Sequence, residues 1–344
     1  MNNKILSDLG ELELIKLIEK LILNKTGKPL VRDDSFFYDL PRRKAIIGNK
    51  QEILVLNSDM LVSTTDVPPN MNFYQIGRKA VLMNISDLIV KGVHPEVIII
   101  SLGLTKYMEL LNFKDLLKGI IDFSHEWNLD YIGGDLNETK ELIVNPTVFG
   151  FQNRSNIIYR SGLEEGDYLV ANGKFGLTGV GLDILLNRRG NLKTFPLYKK
   201  SILSVLEPND LGKEGLIISE HNFASTSIDS SDGLAKSLTD LIYSNQNKNI
   251  GFEIDFNEEL FDQEAVNYSQ EYSIPLEQLV FNGGEEFIHL FTINPISYDS
   301  ALKAVQSRGG QLFKIGEVIA NKKIYYLKDS KKIELKKWGF EHFS

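Results

Sequence analysis

Short apolar runs, each about the length of a strand and each ended by an acidic or glycine-containing segment, most restrict how this chain can fold. The run at 53–56 is followed by Asp59, and the run at 129–132 is followed by Gly133-Gly134-Asp135. β-Branched runs of this length, such as 97–100, are typical of buried strands, and the segments between them have the apolar spacing of helices. The pattern therefore predicts a mixed α/β (α+β) chain.

The order of strands and helices begins twice along the chain. The first half predicts strands at 53–56, 97–100, 129–132 and 142–151, with helices at 76–91 and 107–127. After the polar segment 152–156, the second half predicts strands at 167–171, 252–254 and 288–292, with helices at 178–186, 234–243 and 297–306. Because 344 residues suffice for two domains, we predict one domain at 1–152 and another at 153–344.

The composition excludes several classes of function. The chain has no cysteine, so disulfides, thiolate metal sites and cysteine nucleophiles are excluded. A formal net charge of -8 argues against nucleic-acid binding, which needs a basic face. No apolar run approaches the ~18 residues of a membrane helix, and no signal-peptide pattern is visible. We therefore expect a cytoplasmic protein with no nucleic-acid and no membrane partner.

Six acidic segments lie where the pattern places strand ends or helix starts. They are 33–34, Asp59, Asp87, 133–135, 229–233 and 283–286. A single aspartate at such a place is most simply a turn former or a helix cap. Clustered carboxylates repel one another unless cations neutralise them, and Mg²⁺ prefers oxygen ligands that it can bridge to phosphates. The recurrence of these segments therefore predicts a divalent-metal enzyme that acts on phosphates.

Taken in order, these segments resemble those of the thiamine-monophosphate kinases, within the superfamily of aminoimidazole ribonucleotide synthetase and selenophosphate synthetase. The resemblance covers nearly the whole chain and rests on Asp33-Asp34, Asn57-Ser58-Asp59, Asn84-Ile-Ser-Asp87, Gly133-Gly-Asp135, Arg160-Ser-Gly162, Asp229-Ser-Ser-Asp232-Gly233, Gly283-Gly-Glu-Glu286 and the ending Trp338-Gly-Phe-Glu-His-Phe343. It implies two domains with the aminoimidazole ribonucleotide synthetase-like fold. It also implies a homodimer whose N-terminal sheets join into a barrel.

The resemblance further implies Mg²⁺-dependent transfer of the ATP γ-phosphate to thiamine monophosphate, giving thiamine diphosphate. The metal candidates that it implies are Asp34, Ser58, Asp59, Asp87, Asp135, Asp229 and Asp232, and Asp59, Asp135 and Asp232 are also the catalytic candidates. The implied nucleotide contacts are Gly134, Asp135, Arg160 and Ser231. The implied substrate contacts are Asp66, Glu285 and Phe340, and for Phe340 ordinary packing of the tail is the alternative.

Four departures from the family pattern bear on the identity of the acceptor. Arg32 stands where glycine is usual, Asp66 replaces a substrate-contacting histidine, residues 136–138 replace Thr-Thr-Arg, and Ser237 replaces an aspartate. The change at 136–138 removes a positive charge and adds Glu138. Two alternatives therefore stay open. One is an ATP-dependent superfamily enzyme that acts on another phosphorylated small molecule, and the other is a catalytically silent nucleotide-binding paralogue.

Overall fold

The computed structural model describes residues 33–39, 52–208 and 212–336, together with single positions between 13 and 29. The expectations for Arg32 and Phe340 lie outside these residues. Within them the chain forms two sheets with helices packed against them. The prediction of a mixed α/β fold is confirmed.

The first sheet is built from residues 36–153. Its strands are β1 (Phe36–Asp39), β2 (Glu52–Asn57), β3 (Leu61–Val62), β4 (Val97–Leu104), β5 (Asp130–Glu138) and β6 (Ile143–Asn153). They follow the order β1-β2-β6-β4-β5, with β3 also on β6, and β4 and β5 pair in parallel. Its helices are α1 (Ser63–Asp66), α2 (Phe73–Ile89) and α3 (Leu110–Glu126). Among the described strands, this order leaves β5 at one edge of the sheet.

The second sheet is built from residues 168–334. Its strands are β7 (Tyr168–Ala171), β8 (Ala224–Ser230), β9 (Gly251–Asp255), β10 (Ile288–Ile293), β11 (Phe313–Ile319), β12 (Ile324–Lys328) and β13 (Lys331–Glu334). Its helices are α4 (Leu177–Leu182), α5 (Lys199–Leu206), α6 (Glu214–Glu220), α7 (Leu234–Ser244), α8 (Gln263–Tyr272), α9 (Leu276–Asn282) and α10 (Pro295–Ser307). The strand order β13-β12-β9-β11-β7-β10-β8 places β8 at an edge.

Helix α2 is the element that joins the two halves. It begins with a capping box, in which the Asn72 side chain accepts from Gln75 N and the Gln75 side chain accepts from Asn72 N. It packs against α3 with its backbone in close approach, because a Cβ on Gly119 would lie 2.0 Å from Tyr74 O. The buried apolar cluster around α2 includes Leu82 as well as residues of α5 in the second half. Polar side chains of α2 are therefore buried between the two sheets.

The predicted position of Gly133-Gly134-Asp135 is wrong in one respect. The sequence places these residues after the end of a strand, whereas they lie inside β5. Strand β5 stays paired with β4 as far as Leu104 and Glu138. The pairing shifts register between Ile98 and Ile99, beside Gly133, whose φ of 138° is open to glycine but strained for other residues. The glycine thus lets the strand continue.

No helix within the described residues combines the length and the apolar character that crossing a membrane requires.

Candidate metal and phosphate site

Three buried aspartates from separate parts of the chain meet between the two halves. Asp34 precedes β1, Asp87 lies in α2 and Asp229 lies in β8, and one carboxylate oxygen of each lies within 4.8 Å of the others. All three residues are at least nine-tenths buried. Carboxylate oxygens are the ligands that Mg²⁺ prefers. This donor set therefore fits a hard divalent cation.

The end of β2 is hydrogen-bonded to α2 beside this trio. The Asn57 Nδ2 donates to Asp87 Oδ2 at 2.5 Å. The Asn84 amide accepts from the Asp59 backbone N–H at 2.7 Å and donates to the Asp59 carbonyl at 3.0 Å. Asn84 and Asp87 thus face the same segment, as their spacing on a helix predicts. The two amides position Asp59 next to Asp87.

Asp229 is held by a short chain of hydrogen bonds. Ser86 Oγ donates to Asp229 Oδ2 at 2.8 Å, and His289 Nε2 lies 3.3 Å from the same hydroxyl. Because a hydroxyl has one proton and Ser86 gives it to the carboxylate, His289 must donate through Nε2–H. Burial lowers the pKa of His289 to about 3, so the imidazole is neutral. His289 also faces Asp229 across the β8–β10 pair.

Asp34 is surrounded by two cations. Arg160 Nε donates to Asp34 Oδ1 at 3.0 Å, Arg160 Nη2 donates to the same oxygen, and Lys91 Nζ lies 2.5 Å from Oδ2. The neighbouring Asp33 accepts from the Arg160 backbone N–H at 2.9 Å. Burial by itself would raise the pKa of Asp34, but the charges of Arg160 and Lys91 outweigh burial and lower it. Asp34 is therefore ionised at neutral pH.

The other carboxylates resist ionisation. Burial, then the charges of Asp229 and Asp59, raise the pKa of Asp87 well above its ordinary value. Burial and the charge of Asp34 raise the pKa of Asp229 to about 7. Loss of surrounding water also raises the pKa of Asp59, although part of that residue is exposed. A cluster of this kind ionises fully when a cation neutralises it.

Two substrate candidates lie on either side of a buried lysine that sequence reasoning missed. Lys79 Nζ donates to the Asp66 carbonyl at 2.5 Å and to the Glu285 carboxylate. The carboxylate of Asp66 itself accepts from the Val62 backbone N–H at 2.6 Å. Asp66 Oδ2 therefore accepts a hydrogen bond from the nearby backbone. The positive charge beside Asp66 comes from Lys79.

Ser58 hydrogen-bonds to strand β6. Its hydroxyl lies 2.8 Å from Thr147 Oγ1 and donates to the Pro146 carbonyl at 3.1 Å, both on β6. Ser58 is exposed, and these contacts tie the end of β2 to the neighbouring strand. As a metal candidate it stays a prediction.

The remaining candidates also lie outside the trio. Gly134 and Asp135 are exposed on the edge strand β5, where Asp135 stands opposite Ser101. Ser231 and Asp232 lie in the turn between β8 and α7, and the Ser231 carbonyl accepts from the Glu285 N–H at 2.5 Å. The structure thus brings together the trio and Asp59, and it leaves Asp135 and Asp232 on the surface around them.

Several residues of the site were not among the sequence candidates. Lys91 follows Asp87 by four positions in the predicted helix 76–91, a spacing that shares a helix face, but the helix ends at Ile89 and Lys91 lies in the turn after it. His289 is the one polar ring within the apolar run of β10, which is a weaker signal. Ser86 stands in the motif Asn84-Ile-Ser-Asp87, beside a metal candidate, whereas Lys79 had no distinguishing signal, because helix α2 is buried on nearly every side.

A cavity opens beside Asp33. It has a volume of about 630 Å³, and its wall includes Tyr159, Ser161 and Tyr243. Pockets of ~300–1,000 Å³ are typical of small-molecule sites. Asp33 is among the residues that line this cavity, whereas the three aspartates of the trio are not.

The chain is similar to known proteins over nearly its whole length. Residues 34–152 match the family model described as AIR synthase related protein, N-terminal domain. The thiamine-monophosphate kinase of Nitrosopumilus maritimus is 30% identical over 338 residues, which cover 98% of this chain and 100% of the relative.

Two solved structures share the fold. One is AaThiL complexed with AMPPCP and TMP, with a TM-score of 0.81, 23% identity and coverage of 99% of this chain and 100% of that chain. The other is HypE of E. coli, a hydrogenase maturation protein, with a TM-score of 0.65, 18% identity and coverage of 94% and 97%. On the strength of the end-to-end match to the Nitrosopumilus relative, this chain belongs to the thiamine-monophosphate kinase family.

Proposed function

We propose that this protein transfers the γ-phosphoryl group of ATP to thiamine monophosphate and so forms thiamine diphosphate and ADP. The observation that carries the proposal is the buried trio of Asp34, Asp87 and Asp229, with carboxylate oxygens within 4.8 Å of one another. It occurs in a chain whose relative over its full length is a thiamine-monophosphate kinase. The shared fold with a protein solved with AMPPCP and TMP further supports ATP as co-substrate.

The reaction asks little covalent chemistry of the protein. A phosphate oxygen of the acceptor attacks the γ-phosphorus, and the bond from that phosphorus to the ADP oxygen breaks. The second pKa of a phosphate monoester is ~6, so the attacking oxygen is deprotonated at neutral pH and needs no general base. The protein therefore has to position two anions and compensate their charge.

The residues of the cleft suit that task. Asp34, Asp87 and Asp229 would hold Mg²⁺, which when bound supplies the positive charge that screens the two phosphates. Ser86 and Asn57 keep two of these carboxylates in place. We assign the remaining metal and catalytic roles to the other candidates, namely Ser58, Asp59, Asp135 and Asp232.

The ligand contacts are assigned on the same basis. We propose that Gly134, Asp135, Arg160 and Ser231 contact the nucleotide. The guanidinium of Arg160 donates to Asp34 through Nε and Nη2, and its further N–H groups suit a phosphate. Asp66, Glu285 and Phe340 are proposed to line the acceptor. The ion pair of Lys79 with Glu285 supports a role of the segment 283–286 in shaping the acceptor pocket.

The direct test is formation of thiamine diphosphate by the purified protein, measured together with ADP release. We expect both products, in equal amounts, only when ATP, Mg²⁺ and thiamine monophosphate are all present. Asp87→Asn is the matched inactive variant, because it keeps the shape of a buried side chain that accepts from Asn57. Absence of thiamine diphosphate with the wild-type protein would refute the proposal.

A second acceptor is the alternative, and one feature of the sequence favours it. Residues 136–138 lie exposed on β5 beside Asp135, and they include Glu138 where the family has an arginine. A panel of phosphorylated small molecules, followed by ADP release, separates the two candidates. Faster turnover with another acceptor than with thiamine monophosphate would favour the alternative, and ATP binding without any turnover would favour the silent paralogue.

We also propose a homodimer joined through the first sheet. Strand β5 is an edge strand and exposes the apolar side chains of Tyr131, Ile132 and Leu136. Exposed apolar side chains on an open sheet edge are typical of an interaction surface. Sedimentation of the wild type and of Leu136→Asp tests this, because the charged residue should favour the monomer. A wild-type protein that sediments as a monomer would refute it.

We propose that the chain is divided into domains at 1–152 and 153–344, which is supported by the two sheets on either side of residue 153. A location in the cytoplasm also stays a prediction.

A further inference from the structure

Lys91 is a buried cation that the proposed reaction does not use. Its side chain is completely buried, and its ammonium lies 2.9 Å from Asp33 Oδ1 and 2.5 Å from Asp34 Oδ2. It also donates to the Ser227 carbonyl at 2.7 Å. A buried charge is costly unless it is paired and hydrogen-bonded, so these contacts account for its presence. Lys91 links the Asp33-Asp34 pair to strand β8 of the second half.

The carboxylate of Asp34 is shared between two cations. Arg160 donates twice to Oδ1, and Lys91 lies on Oδ2. Because Arg160 holds Oδ1 through two donors, the orientation of Asp34 does not depend on Lys91 alone. The main effect of Lys91 on a metal in the cleft is therefore its charge.

The balance of charge in the cleft makes that effect large. Within the part of the chain that the structure describes, five carboxylates lie in or beside the trio and two cations offset two of their formal charges, the groups being Asp33, Asp34, Asp59, Asp87, Asp229, Lys91 and Arg160. A unit charge a few ångströms from a metal ligand, in a medium of effective dielectric constant ~20, changes the affinity for a cation by more than about tenfold. Lys91 thus neutralises part of the carboxylate charge that would otherwise attract divalent ions.

We propose that Lys91 is a positioning and charge-compensating residue of the metal cleft, which lowers the affinity of Asp34, Asp87 and Asp229 for free divalent cations. It acts through Asp34 and touches neither nucleotide nor acceptor. This inference rests on the proposed use of Mg²⁺ by the same carboxylates.

The test is a calorimetric titration of the nucleotide-free protein with MgCl₂, comparing the wild type with Lys91→Met. Methionine keeps the apolar stem and removes the charge. We expect Lys91→Met to bind Mg²⁺ at least about tenfold more tightly. Damage to the packing of the site would weaken binding, so the direction of the change separates the two explanations. Equal or weaker binding by the folded variant would overturn the inference.

Two further variants complete the design. In Lys91→Met with Asp33→Asn, one negative charge is removed with the positive one, so the affinity should return toward that of the wild type. Lys328→Met removes a lysine that pairs with Glu277 instead of Asp34, and should leave the Mg²⁺ affinity unchanged. A tighter site in Lys328→Met, or no return in the double variant, would contradict a charge effect at Asp34.

Lys91→Gln provides a second probe in case Lys91→Met fails to fold, because glutamine keeps a donor for Ser227. The folded Lys91→Gln should again bind Mg²⁺ more tightly than the wild type, and unchanged affinity would refute the inference. The titrations contain no ATP and no acceptor. Formation of thiamine diphosphate by the wild type, measured separately, decides the proposed function, so failure of one can be told from failure of the other.

Discussion

Replacing Asp229 with asparagine should stabilise the metal-free protein, and the gain in the free energy of unfolding should grow with pH. Burial and the charge of Asp34 raise the pKa of Asp229 from 3.8 to about 7. The folded protein therefore keeps a proton that the unfolded chain has lost, and ionising Asp229 in place costs stability. Asparagine has no charge to bury, and its amide oxygen still accepts from Ser86.

The size of the gain in the free energy of unfolding follows from the pKa shift of Asp229. A difference of about three pKa units, at ~1.4 kcal/mol per unit, corresponds to roughly 4 kcal/mol. For a carboxyl whose pKa is raised on folding, this loss begins above the pKa of the unfolded chain, near 4, and is complete above about pH 7. Asp229→Asn should thus match the wild type near pH 4 and exceed it by roughly 4 kcal/mol above about pH 7.

The free energy of unfolding has to be compared between variant and wild type at each pH, because the titration of His289 changes it in the opposite direction to that of Asp229. Its pKa is lowered to about 3, so the folded state releases a proton that the unfolded state still binds. That contribution increases stability as the pH rises toward the ordinary histidine value of ~6.5. In the wild-type curve alone it masks the loss at Asp229. In the difference between variant and wild type it cancels.

The assay is urea unfolding at a series of pH values in a buffer with a chelator. Asp183→Asn serves as a control of opposite sign: burial opposes ionisation of Asp183, but hydrogen bonds from Asn187 and Tyr268 outweigh it and lower its pKa. Asp183→Asn should lose stability by an amount that stays constant above about pH 4. A gain for Asp229→Asn that does not change with pH, or no gain near pH 8, would refute the reasoning.

Three other changes have definite expected results. Asp87→Asn should lower the rate of ADP formation by about 100-fold or more, because it removes one charged oxygen ligand from the trio, and it should leave the far-UV circular dichroism unchanged. Lys79→Met should lower the free energy of unfolding by about 1–3 kcal/mol in a urea titration, because it removes the partner of Glu285, whose side chain is 27% exposed; a loss close to zero would contradict this. Gly119→Ala should cost about 1–3 kcal/mol in the same assay, since the added Cβ would lie 2.0 Å from the Tyr74 carbonyl and push α3 away from α2.

The elements that the sequence predicts well have strong local signals. Helix α7 is predicted at 234–243 and runs over Leu234–Ser244, because Gly233 precedes it and its apolar residues recur on one face. Helix α8 (Gln263–Tyr272) is not predicted, since its buried residues are only Ala265 and Tyr268 and its pattern is largely polar. The edge strand β5 is exposed along most of its length, so no alternation of burial marks where it ends.

The residues of the site also differ in how far the sequence predicts them. The aspartates are predictable because each stands in a short motif with a glycine or a serine beside it. Their partners are not, because the contacts depend on the arrangement of the two halves: Lys79 and Glu285 are 206 positions apart, and Ser86 and Asp229 are 143 apart. No local pattern shows that a lysine in a buried helix will meet a carboxylate so distant in sequence.

The same separation has a consequence for the order in which the protein is made. Asp34 and Asp87 leave the ribosome long before Asp229. Lys91 likewise leaves it before Ser227, its hydrogen-bond partner, which is 136 positions further along the chain. Closing such long loops is unfavourable until many contacts form together. The first sheet can therefore assemble while the cleft is still incomplete, and a Mg²⁺ ion arriving then would find two of the three buried aspartates. Tight metal binding would thus report that the second half of the newly synthesised chain has docked.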